Sequence, residues 1–470
     1  MEALAGQEFF QVFAARGIEL SDHFTFLHIN KDPTGTWDFR ADQKSGQSFG
    51  TLPREARQTV LGQEARHSFT GFGRIFDTIR KTKNYTGSRE KQMPSVRHEH
   101  PYLLHDAILQ QPAVMEQALL ANRQKISRAV DAAAGRSRFI FVGVGTSYHG
   151  ALTAERWMRR QSAGRAEARA EEAFELVHSP LALGRGDVVV VLTHTGGTRD
   201  SLEVLRIARA AGALSLAVTG EVGGQVGTSG FPETDFHFVT GEREETFAYT
   251  KSYTSAMAVV ALLVIGFCER GGWAAASAAA DASILTAAGV ARMPALLGKA
   301  LETEAEIRAA ARAMATRTRF AFLGAGLAWF TAMEAALKVK ETSYLPAQGY
   351  QTEEILHGPF SELDEGAAVI AFLTGESSDD RVRDVLRAAT EIGAFRLAVT
   401  FPRGNRDLTC DQVIEVPDGP SWMSPFLHLI PAQLLAYHLA LARGINPDTG
   451  RQDQEAHARA TRVFKAVSQR

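Results

Sequence analysis

Residues 139–160 read FIFVGVGTSYHGALTAERWMRR, and their reading decides the fold. An uninterrupted apolar run opens the stretch, as in a strand buried on both faces. A glycine-bearing turn with Thr146 and Ser147 follows, and then a helical pattern. The same order returns in DVVVVLTHTGGTRDSLEVLRIARAAG (187–212), and ALSLAVTG (213–220) adds another apolar strand. Strands that alternate with helices predict an α/β domain, its parallel sheet covered on both faces.

The pattern is duplicated. FAFLGAG (320–326) matches FIFVGVG (139–145), and FRLAVT (395–400) matches LSLAVT (214–219). Phe139 to Phe320 and Thr219 to Thr400 are both 181 residues apart, and one offset shared by two elements argues for a repeated domain. At this offset Thr146 and Ser147 stand opposite Leu327 and Ala328. Thr193-His194-Thr195-Gly-Gly-Thr198 stands opposite TGESSD (374–379), with Glu376 and Asp379. Hydroxyls and backbone N–H groups at a helix N-terminus favour an anion such as phosphate, whereas carboxylates repel one. The first copy therefore suits an anion.

The second copy carries acid–base residues. EAALKVKETSYLPAQGYQTEEILHGP (334–359) reads as a helix ending before Pro346, then an irregular segment leading to His357-Gly358-Pro359 on a loop. The helix places Glu334, Lys338 and Glu341 at i, i+4 and i+7 on one face, where two carboxylates flank an ammonium. Taken alone, such a triplet reads as a solvated stripe of salt bridges, and His357 as a surface histidine. The equivalent positions in copy one are Thr153, Trp157 and Arg160, so the two copies divide their labour.

Composition bounds the rest. The chain has 470 residues, 45% hydrophobic and 22% charged, with a net charge of −2, which gives no global field for nucleic acid or an anionic membrane. Two cysteines, Cys268 and Cys410, exclude a disulfide scaffold and a multi-cysteine metal site, and suit a reducing cytoplasm. The N-terminus lacks the pattern of a signal peptide, and the apolar run 256–268 reads as a buried core helix too short to span a bilayer. Residues 1–95 show no sustained period, as in FTFLHINKDPTGTWDF, and read as an appended segment without a helix-turn-helix. A single helical pattern runs from His105 to Ala134. The expected organisation is a lead-in over 96–135, domains over 136–275 and 316–445 joined by a helical connection over 276–315, and a tail over 446–470.

Six motifs in order resemble the sugar isomerase (SIS) domain family: GVGTSYHGA (143–151), LTHTGGTRDSL (192–202), YTKSYTSA (249–256), EAALKVKETSYLPAQGY (334–350), EEILHGP (353–359) and PAQLLAYHLALARG (431–444). The resemblance covers about residues 100 to 445 and is strongest to the isomerase half of glutamine–fructose-6-phosphate aminotransferases and to amino-sugar-phosphate deaminases. It implies two tandem domains of the flavodoxin-like three-layer sandwich kind. It also implies that Ser147, Thr193, Thr195 and Thr198, with Thr146 and His194 beside them, hold the 6-phosphate of a sugar. His194 stands where the family usually has glutamine. Glu341 then matches the base moving a proton between C1 and C2, Lys338 and Glu334 its neighbours, and His357 a ring-opening histidine supplied to the neighbouring subunit of a homodimer. Glu2 replaces the aminotransferase's nucleophilic cysteine, so glutamine-dependent amination is not expected. In the tail Glu455 falls at the place of the family's closing lysine, and Lys465 serves only with an insertion. The implied reaction is isomerisation or deamination of a hexose 6-phosphate through an enediol(amine), without metal or organic cofactor. The alternatives are a hexosamine-phosphate synthase using ammonia or a separate glutaminase, and a non-catalytic sugar-phosphate sensor.

Overall fold

A computed structural model describes residues 24–31, 37–43, 97–220, 234–273 and 284–467. Most of the segment read as an appendage lies outside the described residues. Its described part is an antiparallel pair, β1 (Phe24–Lys31) with β2 (Trp37–Gln43), in a unit of its own, Met1–Gln92. The pairing is regular from Phe26 to Lys31, with a register shift between Phe24 and Phe26.

The second unit, Met93–Arg470, holds two five-stranded parallel sheets. The first contains β3 (Arg138–Gly143), β4 (Glu167–Glu172), β5 (Asp187–Leu192), β6 (Leu214–Thr219) and β7 (Phe236–Val239), in the spatial order β4-β3-β5-β6-β7. The second contains β8 (Arg319–Gly324), β9 (Ala347–Gln351), β10 (Ala367–Leu373), β11 (Phe395–Thr400) and β12 (Gln412–Glu415), in the corresponding order β9-β8-β10-β11-β12. This is the flavodoxin-like order, with the switch point between the first and third strands of each copy. The segment read as irregular before His357 is in fact the edge strand β9, whose Ala347-Gln348-Gly349 text carries little strand propensity.

Both faces of each sheet are covered, as their continuous apolar runs require. Phe139, Phe141, Phe320 and Phe322 point into one large core shared by both copies. Ile140 and Val142, or Ala321 and Leu323, point into the smaller outer cores. The helical pattern from His105 divides into α1 (Leu103–Leu109) and α2 (Gln111–Ala132), because Pro112 has no N–H with which to continue a helix from the preceding turn. Equivalent helices α3 (Thr146–Gln161) and α9 (Leu327–Ser343) pack on each other between the sheets. The apolar run 256–268 lies within the longer α6 (Lys251–Arg270), where Cys268 is fully buried with Sγ 3.6 Å from Met158 Sδ. This helix and Ser421–Ala442 are long and apolar enough to cross a membrane, but 78% and 89% of their apolar windows are buried within the protein.

The duplication extends to backbone detail. Gly145 and Gly326 precede α3 and α9 with φ/ψ of 56°/−125° and 58°/−121°, a region open to glycine. A Cβ on Gly143 or Gly324 would lie 2.3 Å from the backbone of Ser147 or Ala328, so glycine there lets each helix start directly on its strand end.

Candidate active site

Residues at the carboxyl end of the first sheet and on α9 of the second meet in one place. Glu334 and Lys338, on the face of α9 turned toward α3, are fully buried, and Glu341 one turn on is 22% exposed at its side chain. The solvated-stripe reading of this triplet is therefore excluded. Lys338 Nζ lies 3.2 Å from Glu334 Oε1, 2.6 Å from Glu341 Oε2 and 3.3 Å from Thr146 Oγ1, one acceptor for each of its three protons. Thr146, from the first copy's loop, donates to Glu334 Oε1 at 3.1 Å, and His149 Nδ1 lies 2.7 Å from Glu334 Oε2. An ionised carboxylate only accepts, so Nδ1 carries the proton.

Burial opposes charge throughout this cluster, and the partners decide the outcome. Burial pushes the Glu334 carboxyl up, but Lys338 and His149 outweigh it and hold it below the usual range. Burial alone would lower the Lys338 ammonium, but the two carboxylates raise it above its ordinary value. For Glu341 burial wins over the attraction of Lys338, and its carboxyl is raised. The three groups thus form a fixed charge pair, Glu334 and Lys338, beside a carboxyl whose pKa burial raises.

The two loops of the first copy are open to an anion. Gly145 precedes α3, and Thr198 precedes α5 (Arg199–Ala210); neither helix has a side-chain cap at its start, so N–H groups there are left for a ligand. The Thr193 hydroxyl is buried without a partner, as are both ring nitrogens of His194, beside which the Glu244 backbone lies outside hydrogen-bond geometry. Burial lowers His194 to about 4. Thr195 Oγ1 accepts from Gly197 N at 3.2 Å and shapes the turn.

The corresponding loop of the second copy is filled by its own side chains. Asp379 Oδ2 takes the Gly375 N–H at 2.6 Å, and Arg403 donates to the Thr374 carbonyl at 2.9 Å while its guanidinium covers Phe401. Arg160, the counterpart of Glu341, pairs with Glu376 at 3.6 Å.

His357 stands apart. Its side chain is 73% exposed and lies 3.3 Å from Glu353, itself paired with Arg381, and within one chain it touches none of the residues above. Lys465 falls within α13 (Glu455–Val467), and its side chain lies outside the described residues.

Three residues went unnoticed in the sequence. His149 lies one turn after Thr146, on the same face of α3, and its counterpart Phe330 has no such chemistry. Glu244 is a buried carboxylate that accepts from the backbone and hydroxyls of Thr250 and Ser252 and from the Thr246 hydroxyl, at 2.6 to 3.1 Å, fixing the start of α6. Tyr249, on the loop so fixed, packs its ring 4.0 Å from that of His194.

The fold is a duplicated, doubly wound α/β protein, and one cluster of polar and charged side chains is drawn from both copies. The SIS domain model matches residues 134–266 and 314–443, more than half of the chain, and the chain belongs to the SIS domain family. It is 29% identical over 353 residues to the glutamine–fructose-6-phosphate aminotransferase [isomerizing] of Thermococcus kodakarensis, covering 75% of this chain and 57% of that protein. The Symbiobacterium thermophilum enzyme of the same name is 34% identical over 265 residues, 56% of this chain and 42% of that one. The chain thus spans about half the length of the curated relatives it matches. Among solved structures, the C-terminal domain of glucosamine-fructose-6-phosphate aminotransferase from Francisella tularensis superposes with a TM-score of 0.63 at 22% identity, over 74% of this chain and 97% of that one. Glucosamine-6-phosphate deaminase from Thermotoga maritima does so with 0.58 at 21% identity, over 74% and 97%. These likenesses carry the fold.

Proposed function

We infer that the chain is a sugar-phosphate enzyme that isomerises or deaminates a hexose 6-phosphate through an enediol or enediolamine. One observation carries this reading: Lys338 Nζ bonds Thr146 of the phosphate-type loop and both carboxylates of α9. This supports a reading in which anion loops and acid–base groups serve one site, as a substrate with a phosphate at one end and a reacting carbonyl at the other requires.

In this reading Ser147, Thr193, Thr195 and Thr198, with Thr146 and His194, receive the phosphate. Glu341 moves the proton between C1 and C2. Its raised carboxyl pKa suits a group that must accept and return a proton near neutral pH. Lys338 stabilises the developing oxyanion. Glu334, held by His149 and Thr146, keeps the ammonium in place. His357, exposed and remote in one chain, opens the sugar ring in the site of a second copy, and the working protein is a cytoplasmic homodimer. The reading invokes no cofactor. The named aminotransferase relatives favour one second reading, amination of fructose 6-phosphate with free ammonia or a separate glutaminase.

The test is incubation with fructose 6-phosphate and with glucosamine 6-phosphate in D₂O, following sugar interconversion, deuterium at C2 and ammonia. Deuterium uptake with ammonia release identifies a deaminase, and uptake without it an isomerase. Absence of exchange with both sugars and with their aldose and ketose isomers overturns the reading.

A further inference from the structure

The loop between β7 and α6 contributes a group that the reading above does not use. Glu244 anchors this loop through the backbone N–H groups of Thr250 and Ser252, at 2.8 and 3.1 Å, so the intervening residues are held firmly. Phe247 lies against Gly450 of the segment that follows the last core helix, which closes the loop from the other side. Tyr249 is thereby fixed at the carboxyl end of the first sheet. One face of its ring meets His194 of the phosphate-type loop, with centroids 4.0 Å apart and planes inclined by 53°. The charges of Glu341 and Lys338 act on its phenol in opposite senses.

The phenolic hydroxyl makes no hydrogen bond to any described residue, although the ring is largely buried. Burial raises its pKa, so it carries its proton at neutral pH and acts as a donor. The hydroxyl itself is not shut away from solvent, so a ligand can reach it.

We propose that Tyr249 is a substrate-contacting residue, whose hydroxyl donates to a hydroxyl or carbonyl oxygen of the sugar chain between the phosphate and the carbons facing Glu341. Its ring, backed by His194, forms the wall against which an extended polyol phosphate lies. This inference rests on the proposed sugar-phosphate reading of the site. It predicts that affinity for a sugar phosphate exceeds that for inorganic phosphate partly through this one hydroxyl.

The test is Tyr249→Phe, which keeps the ring and its packing and removes only the oxygen. Calorimetric binding of glucitol 6-phosphate, an unreactive open-chain analogue, is compared with binding of inorganic phosphate. The expected result is a loss of roughly five- to tenfold in affinity for glucitol 6-phosphate, the weight of one neutral hydrogen bond, with inorganic phosphate unchanged. Affinities for both ligands equal to wild type, or lowered by the same factor, overturn the proposal. The measurement needs no turnover. A protein that binds the analogue through Tyr249 yet exchanges no C2 proton refutes the enzymatic reading and leaves the contact standing. A wild-type protein that binds inorganic phosphate as tightly as glucitol 6-phosphate refutes the contact.

Discussion

Lys338→Met tests the buried triad most directly. The substitution keeps the length and most of the volume of the side chain and removes its charge. Glu334 then remains fully buried with only His149 and Thr146 as donors, and Glu341 loses its 2.6 Å partner. Breaking a buried pair by removing one member costs about 3–5 kcal/mol. Glu341 is 22% exposed and recovers part of its loss through water, so most of the cost falls on Glu334 and the total lies near about 3 kcal/mol. The loss depends on pH in a defined sense. In the wild type the Glu334 pKa is depressed by folding, so its stabilisation is present above the unfolded carboxyl value of about 4.3 and fades as pH falls through the lower folded value. Without Lys338, burial raises that pKa instead. The variant's deficit is then smallest below about pH 4 and grows as pH rises through the raised folded value. Urea unfolding at pH 4 and pH 8 checks this, with Glu334→Gln/Lys338→Met recovering part of the deficit. A deficit below about 1 kcal/mol at both pH values, as for an exposed pair, would refute the reasoning.

Three further outcomes are expected. Glu341→Gln keeps shape and hydrogen bonding but removes the base, so kcat falls on the order of 10²–10⁴-fold with KM little changed, and C2 exchange with D₂O disappears in parallel; steady-state kinetics at equal folded fraction check it. Mixing inactive Glu341→Gln and inactive His357→Ala proteins restores part of the activity, because a mixed dimer holds one site with neither lesion; freely exchanging subunits without recovery exclude the cross-subunit role. Burial raises Asp379 to about 6, above its unfolded value of about 4, so its folded form binds the extra proton. Wild-type stability should therefore fall as pH rises from about 4 to about 6, by up to about 3 kcal/mol, and Asp379→Asn should flatten that slope in thermal melts.

Much of this was legible in the sequence because duplication leaves two readings of one pattern. The 181-residue offset placed β3 against β8 and β6 against β11, and the structure keeps that register. It also set Glu334, Lys338 and Glu341 apart from Thr153, Trp157 and Arg160. The offset could not show that Thr146 reaches across to α9. That contact depends on how α3 and α9 pack, which is a long-range property absent from either copy's local pattern. Tyr249 was hidden for the same reason: its neighbour His194 is 55 positions earlier, on another strand's loop. β9 was missed because an edge strand with glycine and glutamine carries little propensity.

The two copies share loop and helix geometry, yet the loops 193–198 and 374–379 differ in local occupancy. In the first copy the Thr193 hydroxyl is buried without a partner, so a dianion there would complete a bond the protein leaves open. In the second copy Asp379 already accepts the Gly375 N–H, and Arg403 occupies the space over Gly375. An anion arriving there would have to displace a carboxylate held within its own loop. Leu327 and Ala328 offer it no hydroxyls in exchange. The second copy's 374–379 loop is thus filled by its own side chains, while its helix α9 faces Thr146 and His149 of the first copy. Charge follows the same division: Lys338 stands where copy one has Trp157, which stacks on Phe426 in the core. In the proposed reading, one duplicated fold thereby yields one site, with the first copy shaped for binding and the second for proton chemistry.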